Sequence, residues 1–449
     1  MKALQRHIYT LARLLILAAA LSVYHACVKT PVTPKPQDPQ VVAFDAYLSR
    51  GVATRAGAAG IIENTSLRTA GFGVFAYYTE GAMYGPEVEP NFMYNTLVTN
   101  PSGASWEYSP VKYWPNESSA TTDDLIDRIS FFAYAPYVEV APLTGRITSG
   151  DETTGILQLT TSIDKNDPKV TYRSSFVPTE SVDLCWALPQ LNMERPTSVS
   201  ETVHLQFNHA LSALNMQIDA FFDEVIDNES NNNREDDTRV YVRYVTLEGC
   251  AMQGILDLNN TTTTPDWTDF SGLGLSYGTV TVHDGRLDGL EARYPDNTES
   301  PTGLNQGIIQ MNGYNYRSGV TNTLRNLFDT NDSTKTVFVI PNNYPLAVTI
   351  EYDIETRDDK LTSSYLGDGI THGSVTTVRV RQPISISSDP LRLEAGKKYV
   401  IRMHLGLTSV KFEAGMSDRW AEDNEIIVLR PVTMGQEVVI HEAADEGWH

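Results

Sequence analysis

Residues 398–407 read KYVIRMHLGL, with Tyr399, Ile401, Met403, Leu405 and Leu407 all on the same side of an extended chain. Successive side chains of a strand point to opposite faces, so this alternation belongs to a strand with one covered face and one wet face. Residues 410–414 pair beside it, most simply as a hairpin about residues 406–409. The same pattern recurs. GFGVFAYYT at 71–79 places Phe72, Val74, Ala76 and Tyr78 on one side and Phe75 and Tyr77 on the other, so both faces are expected to be covered. Short strands are predicted at 95–98, 106–108, 129–134, 156–160 and 183–187. A second series opens with Val203, Leu205 and Phe207, turns near His209, and resumes with Leu214, Met216 and Ile218. It continues at 239–247, 254–258, 278–282, 337–340, 346–354 and 375–380, with two last runs at 425–429 and 437–440.

Helix-period runs are scarce, and turn residues bound the alternating ones. The chain is therefore expected to be all-β and built of sandwiches. Its 449 residues exceed what one core usually serves, so two domains are expected, at 41–200 and 201–449. The Asn-, Gly-, Asp- and Thr-rich stretch 284–332 reads as an insertion or long loop region, and 227–237, DNESNNNREDD, as a polar loop.

The amino terminus reads as a signal peptide, residues 1–26. Lys2, Arg6 and Arg13 precede an apolar run at 14–23 that is too short to span a bilayer. Small Ala26 before Cys27 suits a lipoprotein signal peptidase, although Tyr24 stands where a leucine is usual. Cys27 is thus the lipidation candidate; the alternative is ordinary cleavage nearby, with Cys27 discarded or left as a free thiol. Three acyl chains, at about 0.8 kcal/mol per buried CH₂, anchor stably where one is marginal. Pro31, Pro34, Pro36 and Pro39 make 28–40 a semi-rigid tether. At 41–48, Val42, Phe44, Ala46 and Leu48 face one way and Ala43, Asp45 and Tyr47 the other, a half-buried strand. Arg50 and Arg55 follow in RGVATRAGAAG, whose small residues have the composition of a nickable loop. The plainer alternative is two solvated arginines.

Loss of Lys2, Arg6 and Arg13 takes the formal charge from -22 to -25, which argues against nucleic acid and anionic lipid headgroups as partners. Cys185 and Cys250 could pair, but no cysteine framework and no C-x-x-C motif is present. HExxH and GxxxxGK[ST] are absent from the sequence, and the nine histidines are scattered. His209 and His404 suit structural hydrogen bonding. No catalytic residue, cofactor or metal site is expected, and the 227–237 loop lacks the spacing of a calcium loop. Tyr108, Tyr113, Trp114, Phe131, Phe132 and Tyr134 could form a sugar-stacking platform, but their setting among Pro and small residues favours a core. Trp267, in TTTTPDWTDF, is the better exposed-contact candidate.

WEYSPVKYWP at 106–115 and ISFFAYAP at 129–136 resemble the fimbrillin-like pilins of Gram-negative anaerobes, the type V pilus subunits. GVFAYYT at 73–79, DLCWA at 183–187, LQFNHALSALNMQI at 205–218 and LGLTSVKFEA at 405–414 extend the resemblance along nearly the whole chain, in order. It implies two transthyretin-like β-sandwich domains in tandem, export as an outer-membrane lipoprotein, and cleavage by a trypsin-like protease after an arginine near the start of the mature chain. It further implies polymerisation with other pilin subunits at the cell surface by strand exchange. In this chain the cut would fall after Arg50 or Arg55, the strand at 41–48 would be a removable placeholder, and residues 425–440 of a neighbour would be the incoming strand. The alternatives are that 425–440 closes its own domain, and that the protein is a monomeric lipid-anchored surface protein binding glycans or another ligand.

Overall fold

In a computed structural model, the residues described are 39–49, 61–115, 126–139, 154–220, 238–268, 276–284, 309–312, 325–328, 335–341, 344–357, 360–361, 373–386, 389–405 and 410–417. The alternating runs become strands. The first part supplies β1 (Phe44–Leu48), a short helix α1 (Asn64–Ala70), β2 (Phe72–Thr79), β3 (Met93–Val98) and β4 (Arg128–Ala135). Next come β5 (Gly155–Leu159), β6 (Lys169–Arg173), β7 (Cys185–Ala187), β8 (Gln190–Met193), β9 (Val203–His209) and β10 (Ser212–Ala220). The middle adds β11 (Thr238–Asp257), β12 (Asp266–Thr268), β13 (Ser276–Asp284), β14 (Ile309–Asn312), β15 (Arg325–Asn326) and β16 (Val337–Val339). The last are β17 (Ala347–Arg357), β18 (Gly373–Pro383), β19 (Ser385–Ile386), β20 (Asp389–Pro390), β21 (Lys398–Leu405) and β22 (Val410–Ser417).

Three large sheets result. The first runs β1-β9-β7-β4-β2-β3, with β8 also on β4; the second runs β15-β10-β21-β22, with β16 also on β10. The third runs β18-β17-β11-β6-β5, with β12, β13 and β14 also on β11. Tyr399, Ile401, Met403 and Leu405 of β21 are buried with Met216 of β10 and with Leu247, Val348 and Ile350 of the third sheet, so the alternation of residues 398–405 points into a core as expected. β21 and β22 pair antiparallel, with Leu405 opposite Val410.

β2 is covered on both faces. Phe72, Val74 and Ala76 enter one core with Phe131, Leu205 and Phe207, while Phe75 and Tyr77 enter another with Trp186, Tyr172 and Phe338. The backbones around β2 lie too close for side chains everywhere: a methyl on Gly73 would strike the Tyr134 ring and lie 2.6 Å from Asn95 Oδ1. That ring is buried and its hydroxyl donates to Asn95 at 2.8 Å, so it has little freedom to yield. Gly73→Ala is expected to cost about 1–3 kcal/mol by overpacking, read as a lowered thermal midpoint; an unchanged midpoint would show that the ring swings aside.

The sheets do not follow the expected boundary at residue 200. β9 lies beyond it yet pairs with β1 and β7 in the first sheet. β5 and β6 lie before it yet β6 pairs with β11 in the third. The turn near His209 is accordingly no hairpin: it carries the chain from β9 in the first sheet to β10 in the second. Alternation reveals which face of a strand is covered, but not which neighbour supplies the hydrogen bonds.

The runs 239–247 and 254–258 are one strand, β11. Gly249, at φ +85°, forms a bulge where pairing to β13 shifts between Glu248 and Cys250, so the chain continues through the glycine rather than ending there. Leu247 and Cys250 of β11 belong to the core between the second and third sheets, and Ala251 and Leu256 to the core against the first. Residues 106–108 contribute only an isolated bridge, Thr99 to Glu107. The stretch 284–332 holds β14 and β15. Cys185 and Cys250 are both free and buried, in different cores, so they do not pair.

Candidate assembly groove

β1 is an edge strand. It runs parallel to β9, with Phe44 opposite Val203 and Leu48 opposite Phe207. Val42, Phe44 and Leu48 are buried, whereas Asp45 and Tyr47 are exposed, the alternation anticipated for residues 41–48. Phe44 is the central anchor. Its ring meets Phe72, Tyr108 and Phe131 edge-on, at centroid distances of 6.3, 5.5 and 5.8 Å, the geometry aromatic rings prefer.

The start of the segment is held on both sides. Val203 N–H donates to Ala43 O at 2.7 Å on the β9 side, while on the other Val42 N–H donates to Lys112 O at 3.0 Å and Trp114 N–H to Gln40 O at 2.8 Å. Tyr108 closes this end, its hydroxyl donating to Val42 O at 2.7 Å. Burial pushes the Tyr108 phenol above its ordinary pKa, with a smaller opposing effect from the Lys112 backbone, so it remains a donor at neutral pH. The Gln40 side chain donates to Ser198 O at 3.0 Å and accepts from Arg195 Nε at 3.2 Å.

The other end of β1 is held more lightly. On its outer edge Leu48 N–H donates to the Asn64 side chain at 2.9 Å. Ser49 N–H donates to Phe207 O at 2.8 Å and its hydroxyl to Asn208 Oδ1 at 2.8 Å. An exposed cross-strand pair, Asp45 with His204 at 3.3 Å, adds little in solvent. Without β1 this slot would present the β9 edge and a floor of Phe72, Phe131, Leu205 and Phe207 to water.

Cys27, Arg50 and Arg55 lie outside the described residues, as do the runs at 425–429 and 437–440 and the 227–237 loop. The chain resumes at residue 61, and Ile62 N–H donates to the buried carboxylate of Asp183 at 3.0 Å. The two described ends of segment 50–60 are therefore tied close together on β9: Ser49 to Asn208 directly, and Ile62 through Asp183, which pairs with His209 at 2.9 Å. Sequence reading missed Gln40, Asn64, Tyr108, Asp183 and Asn208 as holders of this segment. All act through side-chain hydrogen bonds to residues distant in sequence, for which alternation carries no signal.

The six aromatics of the possible sugar platform do not form one. Trp114, Phe131, Phe132 and Tyr134 are buried and Tyr108 is half-buried; Tyr113 alone of the six is exposed, at 51%. Trp267 is not an exposed contact either. It packs against the core of the first sheet and donates from Nε1 to Ala210 O at 3.2 Å.

An all-β chain whose edge strand sits in an aromatic slot, entered next to a segment with two arginines, defines a class: sandwich proteins completed by a strand near one terminus. Comparison with known proteins makes this specific. The fimbrillin-like family profile matches residues 54–418, and the chain belongs to that family. Fimbrium subunit Fim1C of Phocaeicola vulgatus is 23% identical over 441 residues, covering 92% of this chain and 97% of its own. The crystal structure of a fimbrial protein from Bacteroides vulgatus ATCC 8482 is similar in fold, with a TM-score of 0.54 at 20% identity over 85% of this chain and 99% of that one.

Proposed function

We propose that this protein is a structural subunit of a surface fimbria, supporting cell adhesion. It is exported as a lipoprotein anchored to the outer membrane through Cys27, cut by a trypsin-like protease after Arg50 or Arg55, and joined to other pilin subunits by strand exchange. β1 is the placeholder, and residues 425–440 of the next subunit are the incoming strand. The observation that carries this reading is the seating of β1: an edge strand, buried on one face, that can leave without breaking the order of the other strands. Before the cut, the covalent link keeps β1 at high effective concentration beside its slot, and afterwards that advantage is gone. β1 is parallel to β9, and parallel pairing is slightly weaker per residue than antiparallel, so an incoming antiparallel strand would displace it downhill.

The test is to treat the purified protein with a trypsin-like protease and follow its size. A discrete clip between residues 49 and 62, followed by SDS-resistant ladders or filaments, is the expected result, with Arg50→Ala/Arg55→Ala abolishing both. A clipped protein that stays monomeric at high concentration would overturn strand exchange. It would favour a monomeric surface-binding protein.

A further inference from the structure

We propose that Asp183, Cys185 and His209 form a binding site for a divalent transition-metal cation of zinc's ligand preference. Cys185 and His209 are direct partners across the antiparallel β7–β9 ladder, and Asp183 stands two residues before Cys185. One carboxylate, one thiol and one imidazole thus converge from two adjacent strands, with their ligand atoms all within 4.8 Å of one another. His209 Nδ1 lies 2.9 Å from Asp183 Oδ2 and 3.4 Å from Cys185 Sγ. Zinc–nitrogen and zinc–sulfur bonds of about 2.05 and 2.3 Å at a tetrahedral angle place the two ligand atoms about 3.5 Å apart, so the histidine and cysteine already stand at ligand spacing. The carboxylate needs to open from the histidine by about half an ångström.

A second observation is the state of Asp183. Its side chain is fully buried; Oδ2 receives the Ile62 amide and faces His209, yet Oδ1 has no hydrogen-bond partner among the described residues. A buried carboxylate oxygen left unpaired is costly and rare, and an absent ion is one of its ordinary explanations. The donor set suits zinc, which takes nitrogen, sulfur and carboxylate oxygen together, better than calcium or magnesium, which take oxygen. His209 is the solvent-facing member, with 18% of its side chain exposed, so the cation would enter from its side. On binding, the Cys185 thiol releases its proton to solvent and becomes a thiolate, with no change of oxidation state. Because Asp183 also holds Ile62, and Asn208 beside His209 holds Ser49, a bound cation would stiffen both described ends of segment 50–60. The site does not depend on whether the protein polymerises. Sequence reading expected no metal because its ligands, 24 and 26 residues from His209, form no short motif.

The experiment uses the purified full chain, free of affinity tag and stripped with a chelator, titrated with Zn²⁺ and Co²⁺. The expected result is one equivalent bound and a thiolate-to-cobalt charge-transfer band. Cys185→Ser should lose the band and weaken zinc binding by more than about 100-fold, whereas Cys250→Ser, whose cysteine lies in a purely apolar core, should retain both. Absence of stoichiometric binding by the unmodified protein would overturn the proposal, whatever the variants do. So would a band that survives in Cys185→Ser, which Cys27 or Cys250 would then have to carry.

Discussion

Phe44→Ala is expected to destabilise the protein by about 3–5 kcal/mol, the usual range for removing a fully packed phenylalanine. The residue is 4% exposed, and its ring touches three others from three separate parts of the fold: Phe72 of β2, Tyr108 from the segment before Trp114, and Phe131 of β4. No neighbour can collapse into the space without abandoning a partner of its own, so the cavity should remain. Because Phe44 is the central anchor of the inward face of β1, the loss should also show as faster departure of β1 once the following segment is cut. Denaturant unfolding measures the first effect, and the rate at which the clipped N-terminal piece dissociates measures the second. Tyr47→Ala on the outward face is the control, expected to change stability by no more than about 0.5 kcal/mol. Equal losses from Phe44→Ala and Tyr47→Ala would mean that β1 is not seated by its inward face.

The inward face of β1 was legible in the sequence because one physical rule governs it: alternate residues of a half-buried strand must be apolar. That rule placed Val42, Phe44 and Leu48 inward and Asp45 and Tyr47 outward, and it placed Tyr399, Ile401, Met403 and Leu405 in the core as well. It failed wherever pairing, not burial, decides the structure. Val203, Leu205 and Phe207 were correctly read as buried, but nothing in their alternation says that they complete a sheet begun 159 residues earlier rather than opening a new one. β6 was not read at all, since KVTYR at 169–173 buries Val170, Thr171 and Tyr172 consecutively and so shows no alternation. The groove was therefore half readable: its occupant from the pattern, its walls at 108–114 and its hydrogen-bonding residues only from the fold. His209 is the sharpest case. A structural hydrogen bond was the natural expectation, and its bond to Asp183 is there, but the third member, Cys185, enters only through the β7–β9 register.

The glycine inside β11 leads to the second large effect. Gly249→Ala should cost about 1–3 kcal/mol for holding a non-glycine residue at φ +85°. A further 1–3 kcal/mol or so should follow because the new methyl would be driven into the carbonyl of Pro345. That obstacle is backbone, so relief requires the start of β17 to move, and β17 pairs with β11 from Ala347 opposite Glu248 to Thr356 opposite Thr238, with one register shift between Val242 and Tyr244. The bulge does more than relieve a contact. Before it, Val245 and Leu247 face the core between the second and third sheets; after it, Cys250 still enters that core, while Ala251 and Leu256 enter the core against the first sheet. Removing the left-handed residue should therefore disturb both cores at once, unlike Phe44→Ala, whose damage is confined to the first sheet and the segment covering it. Hydrogen exchange distinguishes the two: Gly249→Ala should lower protection in β10 and β21 as well as in β2 and β4, whereas Phe44→Ala should spare β10 and β21. Loss of protection restricted to β11 and β17 in Gly249→Ala would show that the strand shared by the two cores does not couple them.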